Sequence, residues 1–499
     1  MIKRIIFVVI FMLITLYPSL AQQVTIFGNA PDYAGRALVF YSLDNYFSRS
    51  EIKIGECTVS ADGDFSLNIP VSDVRHIFIV LGVYRARFFV EPEFTYEVRL
   101  PPRIDKTQEE IDNPFFEETQ VYMHILTAID NTGEKIAQEE ELNLKIIHFD
   151  NYFYPIHNQL VMDATRRCPP SWLDSCINIF RENIIFTGNR FFDDYVFYRS
   201  GLLYFAAQRE EARFVSDTFF VNRPILYHNN AYMDLFNATY DRYFMFFGQA
   251  DNSIYDVINN QGSFSGLKRL LLSDEVFPYE DLCELVILKN LHDEFYSNRF
   301  SRGALLHILD SAIVHSKVQR HREIADEIRS KITRLLRGFE PPDFLLYKHD
   351  STLVSLHDYR EKYLYIMFCT THNYVCFSQY EALKELHRRH HQWLNIVVIS
   401  ADEQFAHMLH FKEESGYLWD FLHFGNDPDV LRKYDVRMFP TSFFIDPQGR
   451  LVLSPAPEPV RFYEPEPTGE MSPLERALRD ELTVRGLWQD YIRRGLINN

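Results

Sequence analysis

Glycine (19 residues) and proline (23) are scarce in this 499-residue sequence, long basic runs are missing, and no apolar run beyond the amino terminus is long enough to span a bilayer. With 46% apolar residues, that scarcity excludes a disordered chain. Lys and Arg number 51 against 69 Asp and Glu, a formal net charge of −18. The averaged field repels a phosphate backbone or an anionic membrane surface, so no nucleic-acid partner is expected. The length exceeds one ordinary core and calls for about three domains. Aromatics at 15% suit β-sheet faces and wide helix contacts.

The amino terminus does carry an apolar run. MIKRIIFVVIFMLITLYPSLAQQ opens with Lys3 and Arg4 and closes on the small residues of Ser19-Leu20-Ala21. This is the pattern of a signal peptide over residues 1–21, cleaved after Ala21; the competing reading is an uncleaved anchor. No cysteine follows at once, which argues against a lipid anchor. The mature protein is therefore expected to be periplasmic or otherwise extracytoplasmic, with no stable transmembrane segment. Export permits disulfides. Of six cysteines, Cys168 and Cys176 in RRCPPSWLDSCIN stand close enough on a loop to pair; a disulfide and two buried free thiols both fit.

The chain reads as multi-domain α+β. Residues 22–103 alternate in short strand-like runs such as ALVFYS, DFSLNIPV and ARFFVEP, and predict an antiparallel β-sandwich. Residues 104–338 turn to 3.6-residue periodicity and predict an all-helical domain. There Leu305, Ile308, Leu309, Ala312 and Ile313 share one helix face. No HExxH, GxSxG, phosphate-binding loop or zinc spacing occurs in it. Residues 339–455 alternate strand and helix, an α/β pattern. Residues 456–499 join a Pro-rich linker to a helix with Leu478, Leu482 and Leu487 on one side and Ser472 as a plausible cap.

Within the last folded segment, YLYIM leads into FCTTHNYVC and then the helical FSQYEALKELH. Later come NIVVISADE and KYDVRMFPTSFFIDPQGRLV. The succession resembles a thioredoxin-like domain of the extracytoplasmic TlpA/ResA type, related to the AhpC/TSA group, over about a quarter of the chain. The resemblance aligns Asn373 with the attacking first cysteine of the family's C-x-x-C motif, Cys376 with the buried second cysteine, and Pro440 with the family's cis-proline.

A cysteine at a helix N-terminus is ionised by orphan N–H groups and the helix dipole, and its thiolate attacks a substrate disulfide. A carboxamide cannot attack, whereas Asn is among the best N-cap residues. Asn373 thus marks a degenerate nucleophile position. The resemblance implies a surface of His372, Tyr374, Phe439 and Pro440 that still recognises a protein or peptide partner in the cell envelope. No cofactor is implied. The competing reading makes Cys376 a reactive thiol in a thiol-disulfide oxidoreductase or peroxide-reactive protein, with or without Cys369. The side chain of Cys369 is expected to leave the sheet away from the helix tip. His387 and His391, at i, i+4, read as a solvated helix face and not as metal ligands. Asp402 and Asp446 read as strand-end and turn residues.

Overall fold

A computed structural model of the chain describes residues 22–107, 116–162, 188–207, 212–250, 253–426, 429–459 and 473–487, less 275, 278 and 298, with scattered positions at 109–110 and 171–178. The expected signal peptide over residues 1–21, the expected pairing of Cys168 with Cys176, Ser472 and most of the Pro-rich linker lie outside the described residues. The chain divides into two compact units, residues 1–106 with 118–329 and residues 107–117 with 330–499. It has a strand-rich amino-terminal region, a helical middle and a carboxy-terminal domain of mixed strands and helices.

Among the described residues of the first unit, nine strands form two sheets. They are β1 (Gln23–Asn29), β2 (Ala37–Leu43), β3 (Glu51–Thr58), β4 (Asp64–Pro70), β5 (Arg75–Leu81), β6 (Tyr84–Val90), β7 (Thr95–Arg99), β8 (Thr119–Tyr122) and β9 (His124–Ile129). The sheet orders are β4-β1-β7-β9 and β3-β2-β5-β6-β8. Strand β4 shows why they form: Phe65, Leu67 and Ile69 are buried while Asp64, Ser66 and Asn68 face outward, the period-two pattern of a half-buried strand. Most pairings are antiparallel, but β1 runs parallel to β7 and β6 parallel to β8.

Strands β8 and β9 stand in the segment whose periodicity reads as helical. Each is short, and its fate is decided by pairing with β6 and β7, which buries Met123, Ile125 and Ala128 in the sandwich core. Helices follow: α1 (Leu142–Met162), α2 (Arg190–Ala207), α3 (Asn230–Thr239), α4 (Tyr243–Ala250), α5 (Phe264–Leu271), α6 (Glu280–Glu294), α7 (Arg302–His315) and α8 (Gln319–Thr333). In α7 the expected face, Leu305, Ile308, Leu309 and Ala312, is buried, and Ser301 caps the helix.

A buried polar cluster ties α6 to the segment before α8. The Glu284 carboxylate accepts from Ser316 Oγ (2.6 Å), Lys268 Nζ (2.8 Å) and His321 Nδ1 (3.1 Å). Among the described residues, no helix is long and apolar enough to cross a membrane.

The second unit is built on a seven-stranded sheet of order β11-β10-β14-β13-β12-β15-β16. Its strands are β10 (Leu345–Lys348), β11 (Leu353–Ser355), β12 (Tyr363–Cys369), β13 (Leu394–Ser400), β14 (Asp420–His423), β15 (Thr441–Ile445) and β16 (Leu451–Leu453). Its helices are α9 (Tyr374–His390), α10 (Phe405–Ser415), α11 (Asp429–Lys433) and α12 (Pro473–Val484).

All seven residues of β12 are buried, as a central strand covered on both faces requires. Tyr363, Tyr365, Met367 and Cys369 enter one apolar layer with Tyr380, Leu383 and Leu386 of α9. Leu364, Ile366 and Phe368 enter the other with Tyr434. Leu474, Leu478 and Leu482 seat α12 in the first layer, with Leu487 partly buried against it.

Candidate functional site

The site lies where β12 ends and α9 begins. Four residues, 370–373, separate the two elements. Asn373 has extended backbone angles (φ −77°, ψ 121°), and its Oδ1 accepts the N–H of Val375 at 2.9 Å and of Cys376 at 3.3 Å. Its carbonyl accepts the N–H of Phe377 at 3.0 Å. These are the bonds of an N-cap, which satisfy donors that have no partner inside the helix.

Cys369 closes β12 and Cys376 sits in the first turn of α9; both are fully buried in the same apolar layer. The alternation of β12 places Cys369 with Tyr365 and Met367, on the side that α9 covers. This corrects the sequence expectation that its side chain leaves the sheet away from the helix tip. The face of a strand residue depends on the register of the sheet, which the local sequence around Cys369 does not reveal.

Burial first, then the Cys376 thiol, push the Cys369 thiol well above its ordinary ionisation. The Tyr380 hydroxyl, one turn beyond Cys376, lies near Cys369 but without a well-formed hydrogen bond.

Beneath the loop lies a carboxylate that the sequence placed only as a strand-end residue. Asp402 is 1% exposed. Its Oδ1 accepts the Thr371 N–H at 3.0 Å and lies 3.2 Å from His372 Nδ1. Its Oδ2 accepts from Ser400 Oγ at 2.6 Å. Its carbonyl accepts from His423 Nε2 at 2.8 Å, while His423 Nδ1 accepts the Gly425 N–H at 3.1 Å. With one ring nitrogen donating and the other accepting, His423 is neutral, and burial lowers its ionisation from the ordinary value.

Asp402, His423 and Tyr380 are thus the site residues that sequence reasoning missed. One signal was available for Asp402. Strand β13 runs parallel to β12 with Ser400 opposite Cys369, so residues just past Ser400 must stand beside the loop.

The outer side of the site is aromatic. Tyr374 is 73% exposed, Phe377 is half exposed, and His372 is about half exposed. Pairing of Thr441 with Phe368 sets the preceding turn alongside the end of β12. In that turn the Phe439–Pro440 bond is cis, Pro440 is buried, Phe439 is half-buried and Met438 is exposed. The structure therefore brings His372, Tyr374, Asn373 and Cys376 to one loop and helix start, and the Phe439–Pro440 turn to the neighbouring strand. On α9, the rings of His387 and His391 are 5.7 Å apart, and no group of three or more His, Cys, Asp or Glu that could hold a metal occurs among the described residues. Asp446 caps its own turn, accepting the N–H groups of Gln448 and Arg450.

Residues 338–454 match the model of the AhpC/TSA family. No curated protein matches the chain. Among solved structures, the thioredoxin domain of a thiol-disulfide oxidoreductase from Bacteroides vulgatus is 24% identical, with 23% of this chain and 85% of that one covered, at a TM-score of 0.23. A thiol:disulfide interchange protein from Bacteroides sp. is also 24% identical, covering 24% and 80% at 0.23. StoA from Bacillus subtilis is 14% identical, covering 22% and 84% at 0.20. A central buried strand, a helix opening on Asn373 and Cys376, and the Phe439–Pro440 turn ahead of β15 complete the description: residues 338–454 have a thioredoxin-like fold and match the AhpC/TSA family model.

Proposed function

We propose that the thioredoxin-like domain is a binding module of an exported protein. In this reading it holds an extended protein or peptide segment in the cell envelope and does not turn over disulfides. The observation that carries the reading is Asn373, a helix cap where the family's attacking thiol belongs. A carboxamide offers no thiolate, and the nearby thiols of Cys369 and Cys376 are shielded from a protein substrate by complete burial.

Recognition is supported by His372, Tyr374, Phe377 and Phe439, a set of partly exposed aromatic and imidazole side chains of the kind that anchors interfaces. The backbone around Pro440 adds hydrogen-bonding groups for an extended segment. Export rests on Lys3 and Arg4, the apolar run after them, and Ser19-Leu20-Ala21.

The test is a disulfide-reduction assay on the full chain, wild type beside Asn373→Cys. Wild type is expected at the uncatalysed rate, with turnover appearing only in the variant. Robust wild-type turnover that Cys376→Ser abolishes would overturn the reading.

A further inference from the structure

We propose that the seam between α9 and α10 takes a basic amphipathic helix of a partner protein, laid with its apolar face against Phe377, Phe411 and Leu418. The inference rests on the reading of this domain as a binding module, and it gives one partner its chemistry and its place. The seam is separate from the Phe439–Pro440 turn. It is built by two helices and by the residues that lead from α10 into β14.

Aromatic rings form its floor. Those of Phe377 and Phe411 stand 6.5 Å apart, edge to face, and Tyr380 and Tyr417 pack on Phe411 at 5.2 Å and 6.2 Å. Tyr380 and Tyr417 are buried, Phe411 is half-buried and Phe377 is half exposed. Leu418, between the buried Tyr417 and Trp419, is 81% exposed. Buried neighbours thus hold two large apolar side chains in water, where a partner that covers them gains their burial.

The rim is acidic. Glu381, Glu413 and Glu414 are exposed, and Glu381 Oε1 accepts the Tyr417 hydroxyl at 3.0 Å, which ties its carboxylate to the seam. Lys384 stands 3.7 Å from Glu381, and the His410 imidazole 3.3 Å from Glu414. The lysine of α10 that would offset the remaining charge is turned inward. Lys412 Nζ donates to the Trp419 carbonyl at 2.9 Å and to the Tyr417 carbonyl, and lies 5.7 Å from the centre of the Phe421 ring. Lys or Arg on the occupant complements this rim, in a chain whose net charge is −18.

The occupant is helical because the seam offers side chains and no free backbone. Main-chain groups of α9 and α10 are bonded within each helix, so an extended segment lying there would leave its own N–H and C=O groups unmet. A helix satisfies these groups itself and presents apolar residues three and four apart.

Fluorescence anisotropy on the full-length protein tests the inference with labelled synthetic helices. One is built of Leu and Lys only; the others carry Gln or Glu in place of every Lys. The Leu/Lys helix is expected to bind about tenfold more tightly than the Leu/Gln helix, and the Leu/Glu helix not at all. Phe377→Ser, and Glu413→Gln with Glu414→Gln, should each weaken Leu/Lys binding by about tenfold. Removing equal charge from exposed positions elsewhere, by Asp62→Asn with Glu139→Gln, should leave the affinity unchanged.

The inference is overturned if wild type ignores the Leu/Lys helix, if it binds the Leu/Glu helix as tightly, or if the two charge-removing pairs act alike. It falls too if wild type excludes the helices as a dimer that Phe377→Ser disperses, since the occupant is then a second copy. Binding lost in Phe439→Ser but kept in both seam variants would preserve the binding reading and refute this placement. Failure of the binding reading itself shows instead as wild-type turnover in the disulfide assay. The comparison among helices needs wild-type protein alone, so it stands whether or not a variant folds.

Discussion

Asn373 and Cys376 are joined by a hydrogen bond of 3.3 Å from the Cys376 backbone N–H to the Asn373 carboxamide, beside a second bond of 2.9 Å from Val375. The carboxamide of Asn373 therefore performs the capping that a helix start needs. Asn373→Ala removes this cap and is expected to cost about 1 kcal/mol, with Asn373→Asp nearly neutral because a carboxylate caps as well and suits the helix dipole. Urea unfolding followed by fluorescence, with Trp393 and Trp419 buried in the same domain, measures it. An unchanged midpoint for Asn373→Ala would show that the helix start needs no cap.

Asp402 organises the loop from beneath. Asp402→Ala leaves the Thr371 N–H and the Ser400 hydroxyl without their acceptor and frees His372. The expected cost is about 2 kcal/mol, since each orphaned buried donor carries a desolvation penalty. Hydrogen exchange at Thr371 should accelerate well before that of β12, and equal protection in both proteins would contradict the assignment.

In the helical region, burial raises the Glu284 carboxyl, but hydrogen bonds from His321, Lys268 and Ser316 outweigh it and hold the group at about 2, below its ordinary 4.5. A folded value below the unfolded one means the carboxylate's contribution is present above about pH 4.5. It is lost as pH falls from there towards 2. Glu284→Gln should flatten the acid limb of the first unit's stability by an amount on the order of 2 kcal/mol. Thermal unfolding between pH 6 and pH 3 in the two proteins is the comparison, and parallel curves would refute it.

The exposed ring of Tyr374 separates binding from folding. Tyr374→Ala should change stability by less than about 0.5 kcal/mol, as expected for a surface substitution. It should weaken capture of a peptide selected against the full chain by about tenfold, the loss of one interface anchor. Fluorescence anisotropy reads the affinity, and equal affinities would move the contact away from this ring.

Much of this was legible in the residues. The alternation of DFSLNIP and the all-apolar YLYIMF announce a half-buried and a central strand, because burial on one face or two leaves a direct mark on side-chain type. The identity of Asn373 announces a helix cap, since capping depends on one side chain and its nearest backbone. Strands β8 and β9 were not legible. Met123, Ile125 and Ala128 are too few to set a period, and partners as distant in sequence as β6 and β7 decide their conformation.

The sequence by itself determined that position 373 carries no sulfur, because no arrangement of neighbours can make a carboxamide into a thiolate. Only the tertiary structure decided that Cys369 turns toward Cys376 and that Asp402 supports the loop between them. Both depend on sheet register: a one-residue slip of β12 would carry Cys369 to the opposite layer, and Asp402 reaches Thr371 because Ser400 is paired opposite Cys369.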